Sequence, residues 1–293
     1  MRHTATTEPT PRTVPTNDLA RTGIPGLDHI LRGGLPRRRL YLVQGDPGVG
    51  KTTLALQFLL EGVRLGERVL YITLSETLDE MNAVTASHGW SLDRVDVFEM
   101  SAGEQAMSAR STNTLFHPSE AQLSEVTRRL TALLAEIRPA RVVFDSLSEV
   151  RLMAGDPLRY RREILALKAE LAALGATVLL LDDRTAGGDD QQLQSLAHGV
   201  ISLARETAAY GPARRRVEVR KLRGVNFLDG YHDLRLVTGG LVVYPRLAAG
   251  GASRRAARTI SSGNPGLDEL VGGGLDASSS VLLMGPAGIG KST

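Results

Sequence analysis

The chain has no cysteine in its 293 residues. That excludes disulfide staples and thiolate metal sites. Aromatic residues are scarce, at 4% with one tryptophan, so the chain is poor in the stacking platforms that single-strand nucleic-acid binders use. No apolar run approaches the length of a membrane span, and the N-terminus lacks the apolar stretch of a signal peptide. Together these absences lead to the expectation of a cytoplasmic protein with no membrane partner. Neither sign of charge dominates, the formal net charge being +3. The arginines cluster as Arg37 to Arg39, Arg159 with Arg161 and Arg162, Arg214 to Arg216, and Arg254 and Arg255 with Arg258. They read as solvated faces or as contacts with subunits and phosphates rather than with nucleic acid. What remains, 42% hydrophobic and 23% charged residues, is the composition of an ordinary globular domain.

Residues 45–53 organise the rest: Gly45-Asp46-Pro47-Gly48-Val49-Gly50-Lys51-Thr52-Thr53. The pattern G-x-x-x-x-G-K-T is a Walker A loop. The apolar run Leu40 to Val43 before it reads as a buried strand, and Leu54 to Val63 after it has helical spacing. Strand, loop and helix are the context this motif needs. Glycines let backbone N–H groups converge on phosphate oxygens, and the helix N-terminus adds partial positive charge. Gly48, Val49, Gly50 and Thr53 are expected in that cradle, Lys51 on the β- and γ-phosphates of ATP, and the Thr52 hydroxyl on Mg²⁺.

The motif recurs as Gly285-Pro286-Ala287-Gly288-Ile289-Gly290-Lys291-Ser292-Thr293. The two lysines are 240 positions apart, and the same offset maps Gly23, Pro25, Gly26, Leu27 and Asp28 onto Gly263, Pro265, Gly266, Leu267 and Asp268. Gly33, Gly34 and Leu35 map in the same way onto Gly273, Gly274 and Leu275. An ungapped register of this kind is an internal duplication. The expectation is one complete unit followed by the opening of a second, in a piece of a longer two-domain protein. Gly288, Gly290, Lys291, Ser292 and Thr293 are then a second nucleotide loop.

In order, residues 1–18 are Thr-, Pro- and Arg-rich and read as a disordered arm. Residues 19–246 read as one domain, residues 247–258 as a linker rich in Ala, Gly, Ser and Arg, and residues 259–293 as the start of the second domain. After the loop helix, Arg68 to Leu74 reads as a strand with Ser75 and Glu76 at its end. Thr77 with Glu80 forms a capping box for a helix to about Ser87, and Ser119 with Gln122 a second one, opening a helix to about Ile137. Residues 101–118 between them read as a loop. Arg141 to Ser146 is an apolar strand ending in Asp145, a Walker B pattern whose carboxylate would orient the water shell of Mg²⁺. Asp156-Pro157 opens a helix. Thr177 to Leu181 is a strand leading to Asp182, Asp183 and Arg184, with a flexible stretch expected at Gly187 to Asp190. Val200 to Ala204 is a further strand. From Arg216 onward the alternation suggests a small antiparallel addition turning at Gly239-Gly240. Alternating strands and helices predict an α/β fold: a mostly parallel twisted sheet with helices on both faces. Ligands in such sheets bind at the carboxyl ends of the strands, where the Walker A loop, Glu76, Asp145 and Arg184 all fall.

These features resemble the RecA-like P-loop NTPases, and within them the KaiC family of ATPases. The carrying residues are the Gly-Ile-Pro-Gly-Leu-Asp entry with Gly33 to Pro36, the Walker A loop, Ser75-Glu76-Thr77, Ser87-His88-Gly89-Trp90, Phe144-Asp145-Ser146, and Lys221-Leu222-Arg223-Gly224. The resemblance implies ATP held between the subunits of a hexamer. On that reading Lys221 and Arg223 reach a neighbour's γ-phosphate, Leu222, Val225 and Phe227 line its base and ribose, and Ser87 stands near the nucleotide. It also implies slow hydrolysis used for signalling or circadian-type timing. The chain departs from the family at Ser75, where KaiC usually carries the first of two glutamates; Glu76 matches the second and suffices for orienting water. The family's autophosphorylated residues belong to the second domain, so autokinase activity does not carry over to this chain.

Two other readings stand beside an ATPase of this type. One is a RecA- or RadA-like DNA-dependent ATPase, whose channel loops would be those around Arg151 and Gly187 to Asp190; the second of these is acidic. The other is a non-catalytic scaffold, in which ATP joins subunits for a partner such as a sensor kinase.

Overall fold

The computed structural model describes residues 18–99, 118–183, 191–207, 210–247, 258–277 and 279–290, with the side chains of 118–127, 191 and 192 left aside. The chain forms two compact units, Met1–Arg246 and Leu247–Thr293.

In the first unit, β1 (Leu19–Ala20) pairs antiparallel with β2 (Leu35–Pro36), and helix α1 (Pro25–Ile30) lies between them in sequence. Nine strands form the main sheet: β3 (Leu40–Gly45), β4 (Val69–Thr73), β5 (Asp96–Glu99), β6 (Arg141–Asp145), β7 (Thr177–Asp183), β8 (Gly199–Glu206), β9 (Arg214–Leu222), β10 (Tyr231–Val237) and β11 (Gly240–Tyr244). Their order is β11-β10-β9-β8-β3-β7-β6-β4-β5. From β8 to β5 all pairings are parallel; β9, β10 and β11 add on antiparallel. The helices are α2 (Lys51–Arg64), α3 (Leu78–Ser87), α4 (Pro118–Ile137), α5 (Leu147–Ala154), α6 (Pro157–Ala173) and α7 (Gln191–Leu196).

The central strands read as continuous apolar runs because both of their faces are covered. Successive residues divide between two cores. Tyr41, Val43, Tyr71, Val143, Leu179 and Leu181 face Leu54, Phe58 and Leu59 of α2 and Met81 of α3. Leu40, Leu42, Leu70, Ile72, Val142, Phe144, Val178 and Leu180 face α4 to α7 through Leu130, Leu134, Leu147, Val150, Tyr160, Ile164 and Leu193. The α/β class with a mostly parallel sheet, helices on both faces and an antiparallel addition is therefore as the sequence predicts.

Local chemistry fixes the ends. Thr77 and Glu80 form the reciprocal capping box of α3, and the Asp156 carboxylate caps α6 ahead of Pro157. Gly26 of α1 lies so close to β11 that a Cβ there would overlap the Val243 carbonyl. Arg141 is fully buried at the start of β6, ion-paired to Glu67 and donating to the carbonyls of Arg21 (2.6 Å) and Phe58 (2.8 Å).

One expectation is corrected: Arg151 is on helix α5, not in a loop. Leu147, Val150 and Ala154 bury one side of that helix on the sheet, so the three-residue spacing of an amphipathic turn outweighs the polar look of Ser148-Glu149. Several expectations lie outside the described residues. They are the arm of residues 1–18 apart from Asp18, the loop of 101–118 apart from Pro118, the side chains of the Ser119 and Gln122 box, Arg184 with Gly187 to Asp190, and the linker apart from Leu247 and Arg258.

The second unit carries β12 (Thr259–Ile260) paired antiparallel with β13 (Leu275–Asp276), and helix α8 (Pro265–Leu270). Val281 to Met284 follows with no helix or strand and is exposed.

Candidate nucleotide-binding site

The site grows from the end of β3. There the chain leaves the sheet at Gly45, where a Cβ would press on the Leu203 carbonyl. It turns through Gly48 and enters α2 at Gly50, which has φ of 111° and acts as the N-cap. Val49 and Thr53 are buried beneath the turn. Lys51, the first residue of α2, is 9% exposed. Its Nζ donates to the carbonyls of Gly45 (2.8 Å) and Asp46 (3.0 Å), inside the loop's own curve. It also pairs with Asp183 Oδ1 at 2.6 Å.

Parallel pairing brings the neighbouring strand ends to this turn. Gly45 is level with Asp183 of β7, and Thr73 of β4 is level with Asp145 of β6. The Thr52 hydroxyl lies 3.4 Å from Asp145 Oδ2, and Tyr71 donates its phenol to the same oxygen at 2.5 Å. Burial raises the Asp145 carboxyl above its ordinary range; the Tyr71 hydrogen bond and the Lys51 charge oppose the shift, and Asp183 adds to it. Burial beside Asp145 likewise lifts Tyr71 far above the usual phenol range, which keeps it a donor.

Glu76 follows β4 on a short turn. Its N–H donates to Thr73 Oγ1, and that hydroxyl donates to the Glu76 carbonyl, both at 2.9 Å. Its Oε2 is buried without a hydrogen-bond partner. Burial raises its carboxyl, and Asp145, Glu80 and Asp183 raise it further. A buried carboxylate oxygen with an open lone pair is an acceptor awaiting a donor.

The sheet thus brings together Gly48, Val49, Gly50, Lys51, Thr52, Thr53, Glu76 and Asp145. Other expected residues lie elsewhere. Lys221 of β9 faces Val200, and Val200 is level with Leu42, not with Gly45. Lys221 and Arg223 therefore stand at the opposite end of the sheet, about 10 Å along β3 from the loop. There Lys221 Nζ donates to the carbonyls of Gln194 (2.6 Å) and Ser195 (3.3 Å), and Arg223 to that of Ser195 (3.2 Å). Lys168 donates to Leu196 O at 2.7 Å, and Arg39 to the Arg223 carbonyl at 2.8 Å. Burial and the neighbouring cations Lys168, Arg39 and Arg223 hold the His198 imidazole below its ordinary pKa. Burial, then Arg223 and Lys168, do the same to Lys221.

Leu222 is buried in the first core, with Val225 and Phe227 half-buried against it. Ser87 ends α3 and donates to the Val84 carbonyl. Just beyond it, His88 and Trp90 stack with centroids 4.7 Å apart, and His88 Nδ1 lies 3.1 Å from the Val237 carbonyl. The β10–β11 turn they meet also approaches α2: Gln57 exchanges hydrogen bonds with the Leu241 backbone, and Leu241 lies beside Gly50. In the second unit Gly288 has positive φ like Gly48; Lys291, Ser292 and Thr293 lie outside the described residues.

Sequence reasoning assigned no role to Asp183, Tyr71 or Thr73. Asp183 carried a usable signal, an acid ending an apolar strand, the same one that marked Asp145. Tyr71 carried none, because an aromatic residue inside an apolar strand reads as core.

The donors present suit a magnesium–triphosphate: a cation inside the loop, a hydroxyl next to a carboxylate, and a helix N-terminus. Among the described residues, no group of three or more His, Cys, Asp or Glu is arranged to hold a metal ion unaided. No described helix is long and apolar enough to cross a membrane.

A family model described as "ATPase: KaiC" matches residues 20–248. The circadian clock oscillator protein KaiC of Prochlorococcus marinus (strain MIT 9313) is 30% identical over 284 residues, covering 92% of this chain and 54% of that one. A UPF0273 protein of Aeropyrum pernix is 31% identical over 242 residues, covering 78% of this chain and 94% of its own. The chain spans about half the length of the KaiC relatives it matches. Among solved structures, a KaiC-like protein of Pyrococcus horikoshii OT3 superposes with a TM-score of 0.65 at 24% identity, over 78% of this chain and 99% of that one. That last likeness speaks for the fold alone.

Proposed function

The chain belongs to the KaiC family of ATPases, and from that premise we propose that it binds Mg²⁺–ATP in the loop of residues 45–53 and hydrolyses it slowly. The carrying observation is that Lys51, Thr52, Asp145 and Glu76 meet at the ends of adjacent parallel strands, with Glu76 Oε2 buried and unpartnered. Gly48, Val49, Gly50 and Thr53 shape the cradle, Lys51 binds the β- and γ-phosphates, and Thr52 and Asp145 hold the metal. The bound Mg²⁺ supplies positive charge to the phosphate oxygens as negative charge develops. Glu76 accepts a hydrogen bond from the attacking water and aims it in line. Burial favours this, because a raised carboxyl is a stronger base toward a positioned water.

The site is completed by a second copy of the chain, in a ring of six. The support is the pairing register. Lys221 and Arg223 stand at the far end of the sheet from their own loop. With Arg39 and Lys168, Arg223 crowds cations around His198. An anion supplied by a neighbouring subunit relieves that crowding. Arg223 then stabilises charge on the neighbour's γ-phosphate, Lys221 assists it, Val225 and Phe227 border the base and ribose with buried Leu222 backing them, and Ser87 lies near the nucleotide within its own subunit. Nucleotide-dependent ring assembly suits a role in signalling or timing, with a protein partner such as a sensor kinase reading the assembled state.

Subunit mixing tests this. Arg223→Ala and Lys51→Ala subunits are each expected to be inactive, Arg223→Ala by roughly 10³-fold. Mixed rings restore some interfaces with one intact loop facing one intact arginine, and activity partly returns. Mixed rings as inactive as either parent would exclude the shared site. Measured turnover by the purified protein separates an ATPase from a scaffold that only binds nucleotide.

A further inference from the structure

The P-loop lysine is already occupied. Lys51 Nζ is 2.6 Å from Asp183 Oδ1, and the pair is largely shielded, with side chains 9% and 29% exposed. Asp183 is also tied to Ser148. Its backbone N–H donates to Ser148 Oγ at 3.3 Å, and that hydroxyl lies 3.4 Å from Asp183 Oδ2. Ser148 is in the first turn of α5, and the next turn of that helix carries Arg151, 3.3 Å from Asp182. Two contacts with one helix therefore hold the end of β7 in position. The carboxylate also stands in an acidic setting: its charge pushes both Asp145 and Glu76 upward. Lys51 is the cation that balances it.

We propose that Asp183 is a positioning residue that competes with phosphate for Lys51, setting the nucleotide affinity of the loop; this rests on the loop being the ATP site. A phosphate oxygen can take the lysine only by breaking this ion pair. Asp183, held by Ser148, stays behind as an uncompensated negative charge facing the incoming anion. The lysine is thus preorganised inside the loop, between the carbonyls of Gly45 and Asp46, while binding is weakened by the charge it must leave. The competition acts only on ligands that carry the phosphates Lys51 reaches. It does not act on adenosine, and this separates it from a general structural role.

The test is equilibrium titration of the whole chain with Mg²⁺–ATP, Mg²⁺–ADP and adenosine, for the wild type, Asp183→Asn and Asp183→Ser, with Lys51→Ala giving the background from other sites. Both Asp183 variants should bind the two phosphorylated nucleotides about tenfold more tightly, the scale of coupling between close charge pairs, and adenosine as the wild type does. Circular dichroism identifies a variant that fails to fold, and the other then carries the test. Unchanged or weakened Mg²⁺–ATP binding in a folded variant would overturn the competition while leaving the ATP site standing, as would an equal gain for adenosine. A wild type whose nucleotide binding equals that of Lys51→Ala would instead remove the ATP site itself, and the role of Asp183 with it.

Discussion

Residues 19–36 and 259–276 have the same local hydrogen bonding in opposite surroundings. Leu19 pairs with Pro36 and Ala20 with Leu35; 240 positions on, Thr259 pairs with Asp276 and Ile260 with Leu275. The backbone N–H of Thr22 donates to Asp28 Oδ1 at 2.8 Å, and that of Ser262 to Asp268 Oδ1 at 2.8 Å. The Gly33 N–H reaches the Asp28 carbonyl at 2.8 Å, and the Gly273 N–H that of Asp268 at 2.7 Å. Gly34 and Gly274 both have positive φ and sit against the partner strand's backbone. Yet Ile30 is wholly buried, whereas its counterpart Leu270 is 84% exposed. The turn, helix and strand pair are therefore written into about eighteen residues of sequence, while burial comes from what those residues pack on. With β4, β6 and β7 beside it, the Walker A loop of residues 45–53 is a site.

The sharpest way to break this contrast is to treat the two loops alike. Lys51→Ala should lower Mg²⁺–ATP affinity by about a hundredfold or more, since it removes the charge aimed at the phosphates. Lys291→Ala should change affinity less than about twofold. Titration of the two variants with a fluorescent nucleotide measures both. Equal losses would mean that the second loop is a working site in this chain.

A smaller effect distinguishes the two helices. A Cβ at Gly26 would overlap the Val243 carbonyl, whereas one at Gly266 meets only ordinary contact with Asn264. Gly26→Ala should therefore destabilise the first unit by about 3 kcal/mol through overpacking. Gly266→Ala should be within about 0.5 kcal/mol of neutral. Urea unfolding curves give both values. Backbone amides of residues 40–60 should also outlast those from 259 onward in hydrogen exchange.

The smallest effect is in titration. Burial raises the Asp28 carboxyl above 3.8 despite hydrogen bonds from Thr22. The hydrogen bonds from Ser261 and Ser262 hold exposed Asp268 below 3.8. As pH falls from above the folded pKa of Asp28 toward 3.8, the folded state takes up its proton before the unfolded chain does. Asp28 therefore favours folding increasingly across that window. Asp268 acts in reverse: its contribution is present above 3.8 and is lost as pH falls through its lower folded value. Carboxyl carbon shifts in an NMR titration should show the two midpoints on opposite sides of 3.8, and coincident midpoints would contradict the role given to burial.

The same distinction governs how much was legible in the sequence. Features carried by near neighbours were readable: the Thr77–Glu80 box, Pro157 opening α6, the glycines of the loop, and the strand ending in Asp145. Features that depend on pairing across the sheet were not. Nothing near Asp183 says that β7 will lie beside β3, so the partner of Lys51 was invisible until the strand order was known. Arg141 opened an apparently apolar strand, yet it is buried against Glu67, which is 74 positions away in sequence. Helix α5 was missed because a single turn of polar residues hid the spacing of Leu147, Val150 and Ala154. Lys221 and Arg223 were legible as a motif, but only the register set them at the far end from their own loop.

The central claim is that the residues gathered at the end of β3 hydrolyse ATP, with Glu76 orienting the water. Single-turnover hydrolysis by Glu76→Gln, measured with nucleotide affinity in the same preparation, tests it most directly. The account predicts Mg²⁺–ATP affinity within about threefold of wild type and hydrolysis slower by roughly 10²- to 10⁴-fold, because an amide cannot take a proton. Wild-type turnover in that variant, with binding intact, would contradict it.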